Sequence, residues 1–129
     1  MNGWPQEQIP DPDRLFMRVH VKLLDANGQV RPGVFREHQG AMSTDWEKYS
    51  TAVECRGRAA NPAENCVLTL VAGKVRSIAE LRVMHEPKPM NRAHANIYGL
   101  SENGEEAKTR IRLQLFKMFN ELELTPNAA

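Results

Sequence analysis

Two histidines, His85 and His94, stand nine residues apart near the middle of a chain of 129 residues. An imidazole titrates close enough to neutral pH to take or give a proton, so the two together would suit a general acid and base if the fold brought them into one cleft. Arg18 would then supply fixed positive charge to a developing or bound anion. Ser43 and Asp45 add a hydroxyl and a carboxylate, and Lys88, Arg92, Asn96 and Tyr98 surround the histidines in sequence with donors suited to phosphate and base edges. Each has an ordinary structural use as well: a histidine beside proline at a strand end bonds a backbone carbonyl, Ser-Thr-Asp caps a turn, and scattered lysines line a solvated rim.

The remaining histidines, His20 and His38, complete no ligand set. None of the four has the tight spacing of a metal motif with Asp45 or Glu86, so neither a metal nor a cofactor is expected. His94 ranks above His38, because it lies on an alternating segment that would hold it rigidly, whereas His38 sits in the polar run Arg36-Glu37-His38-Gln39. No Walker loop, dinucleotide glycine fingerprint, nucleophile elbow or zinc-ligand pair is present, which removes several large enzyme classes.

The elements that must position these residues are legible from periodicity. Residues 1–13 carry Pro5, Pro10 and Pro12 and read as an extended, loosely packed arm. Leu15, Met17, Val19, Val21 and Leu23 then alternate with Phe16, Arg18, His20 and Lys22, the pattern of a strand with one face inward. Asn27-Gly28 predicts a turn, with brief strands at Gln29-Val30 and Val34-Phe35. The stretch from Met42 through Thr51 mixes Trp46 and Tyr49 with hydroxyl and acidic residues and reads as a partly exposed loop.

Ser50 or Thr51 should cap a short helix that Asn61-Pro62 ends. Val67 to Val71 reads as a buried strand, residues 74–81 as a short helix and residues 81–85 as another strand. Residues 93–98 form a further one, with His94, Asn96 and Tyr98 on a single face. Ile111, Leu115, Met118, Phe119 and Leu122 recur at helical spacing behind an Asn103/Glu106 capping pair, and Pro126 should stop that helix.

These elements make one α+β domain over residues 14–125, a small mixed or antiparallel sheet with short helices and one C-terminal amphipathic helix, followed by a tail at 126–129. With 41% hydrophobic and 26% charged residues and a formal net charge of +1, whole-molecule charge favours neither nucleic acid nor an anionic membrane. Between Cys66 and Tyr98, however, five cations face two acids in sequence, a local excess of three. That excess suits a nucleotide or a single-stranded nucleic acid. No apolar run approaches the roughly 20 residues needed to span a bilayer, no export signal is visible, and Cys55 and Cys66 read as reduced structural thiols. A cytoplasmic setting without membrane contact follows as the expectation.

The segments Leu68-Thr69-Leu70-Val71-Ala72-Gly73-Lys74-Val75-Arg76, Val83-Met84-His85-Glu86-Pro87 and Asn91-Arg92-Ala93-His94-Ala95-Asn96-Ile97-Tyr98-Gly99, with Met42-Ser43-Thr44-Asp45 upstream, resemble a group of small uncharacterised bacterial proteins of no known activity. The likeness covers residues 14–99 and implies a shared fold in which the Ser43-Asp45 segment and the segment from His85 to His94 form one unit. Arg14, Arg18, Ser43 and Asp45 also admit a dinucleotide-holding arrangement like that of ADP-ribosyltransferase-like folds, but no late catalytic partner can be assigned. The best functional reading is a nucleotide- or nucleic-acid-directed module of conflict or toxin type, with catalysis left open. The alternative is a non-catalytic protein-interaction module, self-associating through the bulky C-terminal helix.

Overall fold

A computed structural model describes residues 3–119 and the backbone of residues 122–124. Its centre is a six-stranded antiparallel sheet in the spatial order β4-β5-β2-β1-β3-β6. The strands are β1 (Arg14–His20), β2 (Met42–Trp46), β3 (Asn65–Val71), β4 (Arg82–His85), β5 (His94–Tyr98) and β6 (Leu122–Leu124), and the helices are α1 (Ala52–Gly57), α2 (Ala72–Arg76) and α3 (Glu105–Met118). The α+β class is as expected, and the sheet is antiparallel rather than mixed.

Side chains alternate across a strand, so the pairing register sorts them into two faces. Leu15 opposes Leu70 and Trp46, Met17 opposes Leu68, Thr44 opposes Ala95, and Val83 opposes Ile97. These residues share the face that α3 covers with Ile111 and Leu115 and α2 with Val75, and all are buried in one hydrophobic cluster except Thr44, whose hydroxyl donates to Ala95 O at 2.9 Å. Burying each large aliphatic side chain here contributes about 1.5–3 kcal/mol. The C-terminal helix thus docks on its own sheet.

The other face carries Phe16, Arg18, Asn65, Val67, Ser43, Asp45, His94, Asn96 and Tyr98. Only one end of it is apolar, where Phe16 and Val67 pack under Ala52 and Cys55 of α1. That short helix is held by a complete capping box: Thr51 Oγ1 accepts from Glu54 N and Glu54 Oε1 accepts from Thr51 N.

Several expectations are corrected. Residues 42–46 form a central strand, not a loop; Trp46 is buried because its indole N–H donates to Asp13 Oδ2 at 2.9 Å. β1 ends at His20, and Val21–Leu23 is a 3-10 turn whose N-cap is the His20 imidazole. The Asp25–Gly28 turn forms, but Gln29-Val30 is no strand and Pro32–Val34 is another 3-10 turn. α2 begins two residues earlier than residue 74 and ends at Arg76. The N-cap of α3 is Gly104, while Asn103 Nδ2 donates to Gly99 O. The helix stops at Met118, and Leu122 belongs to β6; Pro126 and the tail lie outside the described residues.

The arm is not loose. Arg76 Nη1 donates to Ile9 O and Asp11 Oδ1, Gly73 N donates to Asp11 O at 2.8 Å, and Ile9 is buried. A Cβ on residue 73 would meet Asp11 Cβ at 2.7 Å, so the strand-to-helix corner needs glycine to let the arm approach.

Candidate functional site

β1 and β2 pair only at Leu15↔Trp46 and Phe16↔Asp45. Beyond that point β1 stays in register with β3 as far as His20, and β2 stays with β5 back to Met42, so the two central strands part. A cleft of about 570 Å³ occupies the opening, within the usual size range for small-molecule sites. Met17 and Arg18 line it from one strand and Ser43, Thr44 and Asp45 from the other, while the connection from Arg36 to His38, together with Asn65, Asn91 and His94, completes the wall.

Asp45 is the hub of the polar face. Only 2% exposed, it receives Arg58 Nη1 at 2.6 Å and Asn91 Nδ2 at 2.8 Å, and Arg18 Nη1 lies 4.0 Å away. Arg18 is fixed from its other side by donating to Cys55 O at 2.8 Å. A carboxylate this buried is tolerable because two cations and an amide replace its water.

His94 sits directly across the β2–β5 ladder from Asp45. Its Nδ1 is 3.0 Å from Glu86 O. A carbonyl can only accept, so Nδ1 carries the hydrogen and Nε2 keeps a lone pair. Nε2 is buried with no hydrogen-bond partner, on a residue 7% exposed. Burial holds the imidazole below the ordinary histidine value, and Lys88 adds to this; the Glu86 carbonyl and the charges of Asp45 and Glu86 oppose it. The ring is therefore neutral near pH 7 and presents an acceptor. Glu37, which lines this cleft and a second one shared with Arg36, Lys108 and Arg112, also has a buried oxygen, Oε2, without a partner.

The sequence-derived site residues divide between places. Arg18, Ser43, Asp45 and His94 meet at the cleft. Asn96 and Tyr98 share its face but turn to Glu86, whose Oε1 accepts from Asn96 Nδ2 at 2.7 Å and from Tyr98 OH. Burial raises the Glu86 carboxyl, yet those two bonds and His94 outweigh it and leave it lowered. Lys88 is exposed in the 88–91 turn, close enough to bear on His94.

His85 and Arg92 require correction. His85 opposes Ala95, so it occupies the apolar face, opposite to His94. Both its nitrogens are taken: Nδ1 accepts from Glu7 N at 2.9 Å and Nε2 donates to Arg92 O at 2.7 Å. It packs on Trp46 and Tyr49, and the acid–base pairing of His85 with His94 does not form. Arg92 lies over the Tyr49 and Trp4 rings beside Glu7. Arg14 pairs with Glu47 away from the cleft.

The polar contributors missed include Arg36, Glu37 and His38, which the sequence presents as a polar run, together with Asn65 and Asn91, and the apolar ones include Phe16, Leu23 and Val34. His38 lines the cleft with His94, exposed where His94 is buried. The density of charge in Arg36-Glu37-His38 was the available signal. Cys55 also borders the cleft, but burial first and the Asp45 charge next push its thiol up to about 12, which removes it as a nucleophile. Among the described residues no cluster of three His, Cys, Asp or Glu could hold a metal ion. No protein-family model, curated protein or solved structure matches the chain.

Proposed function

We propose that this domain binds a nucleotide, free or as one unit of a single strand, in the cleft between β1 and β2. The observation that carries the reading is the division of the cleft wall into parts that match the parts of a nucleotide. Arg18 and Arg36 offer charge to phosphate, and Phe16, Leu23 and Val34 offer an apolar surface to a base. The parted strands add backbone groups of Arg18 and Ser43 for the edge of that base. A protein-interaction surface finds less support, since Ile111 and Leu115 of α3 are fully buried within the domain. No helix among the described residues is long and apolar enough to cross a membrane, and the free Cys55 and Cys66 accord with a cytoplasmic setting.

The test is calorimetric titration at low salt with nucleoside monophosphates and with short single-stranded oligonucleotides. Binding that weakens as salt rises is expected, with further weakening in Arg36→Ala, whose side chain bonds Gly33 O among the described residues, and no change in Arg92→Ala on the opposite face. No binding at low salt, or a larger loss in Arg92→Ala than in Arg36→Ala, removes the reading.

A further inference from the structure

The geometry points to a ribonucleotide as the ligand of this cleft, with the sugar hydroxyls donating to His94 Nε2 and Glu37 Oε2. The inference rests on the nucleotide reading and adds to it the identity of the sugar.

Two buried acceptors without partners are expensive to maintain in a folded chain, because each has given up water and received nothing. His94 is the firmer of the two. Its Nδ1–H is committed to Glu86 O, so the nitrogen left without a partner belongs to a residue that is 7% exposed and lines the cleft, and it can only accept. Glu37 repeats the arrangement with a carboxylate oxygen from the connection before β2.

What satisfies an acceptor is a hydrogen-bond donor or a metal ion. A metal is disfavoured, since the described residues hold no ligand cluster for one. Among the parts of a nucleotide, a phosphate brings only acceptors and would be repelled by Glu37. Of the bases only guanine sets two donors side by side, at N1 and the 2-amino group, whereas every ribonucleotide carries the ribose pair. The ribose is the part whose two adjacent hydroxyls are both donors, and a carboxylate accepting a ribose hydroxyl is a recurrent means of reading that sugar. Glu37 follows Arg36 directly in sequence, which sets an acceptor beside a cation as a ribose hydroxyl is set beside its phosphate.

The experiment compares the four ribonucleoside 5′-monophosphates with their 2′,3′-dideoxy counterparts by calorimetry on the unaltered protein. Ribonucleotides are expected to bind at least about tenfold more tightly, the cost of leaving a buried acceptor unmatched. Glu37→Ala and His94→Gln should each narrow that gap, and the first of these removes a buried oxygen without a partner and so spares the fold. Equal affinities for both sets overturn the ribose assignment and leave the nucleotide reading standing. Failure of both sets to bind overturns the two together. A gap that persists unchanged in Glu37→Ala and in a folded His94→Gln shows that the sugar is read by other residues and overturns the assignment.

Discussion

Asp45 and His94 face each other across neighbouring strands on the one polar face of the sheet, the carboxylate saturated by Arg58 and Asn91 and the imidazole left with an open acceptor. One partner is therefore a structural anchor, and the other is free to meet a ligand.

The anchor should show in stability. Asp45→Ala strands Arg58 and Asn91 and is expected to cost about 2–4 kcal/mol in chemical denaturation, less than a fully buried pair because the Arg58 side chain is 29% exposed. A loss under about 0.5 kcal/mol would mean that the network does not hold the strands.

The pH dependence of stability follows from the lowered value of His94. In the unfolded chain the ring titrates near the ordinary value of about 6.5, and in the folded protein it titrates lower. Between those two values the unfolded state binds more protons, so stability is full above about pH 6.5 and declines as the pH falls toward the folded value. Urea titrations across pH 7.5 to 4.5 should show a smaller decline for His94→Gln than for the parent protein. Identical slopes would contradict a buried, neutral His94.

Leu70 is 1% exposed in β3, and Leu70→Ala should destabilise the domain by about 2–5 kcal/mol through lost methyl groups and a residual cavity. A loss below about 1 kcal/mol would place this strand outside the core.

How far such features could be read from the chain depends on whether the signal is local. β1, β4 and β5 declare themselves by alternation and β3 by its apolar run, and the common face of His94, Asn96 and Tyr98 follows from period two alone. β2 obeys the same period, with Met42, Thr44 and Trp46 inward, but its composition resembles a loop. Thr44 is buried only because Ala95 O accepts its hydroxyl, and Trp46 because Asp13 lies above it. Those partners are remote in sequence. The cleft was illegible for the same reason: it exists because β1 and β2 separate, and no residue pattern states where two strands stop pairing. The pairing of His85 with His94 failed on faces: alternation sets His85 with Val83 on the inward side of β4, while His94 lies on the other side of β5.

Gly99 offers a test of the fold that is independent of the site. Its φ is +121°, and a Cβ there would lie 2.0 Å from Glu80 O. Gly99→Ala combines a disfavoured backbone with a clash against main chain, and a loss of at least about 2 kcal/mol is expected by thermal or chemical unfolding. An unchanged midpoint would contradict the close approach of the residue 80 carbonyl to β5.

The central claim is that ligand enters between β1 and β2, and the most direct measurement is amide chemical-shift mapping by NMR during titration with a ribonucleoside monophosphate. Shifts concentrated at Met17, Arg18, Glu37, Ser43, Asn91 and His94 are predicted, with Glu7, His85 and Arg92 on the opposite face unmoved. Shifts concentrated around His85 and the arm, or no shifts at millimolar ligand, would contradict it.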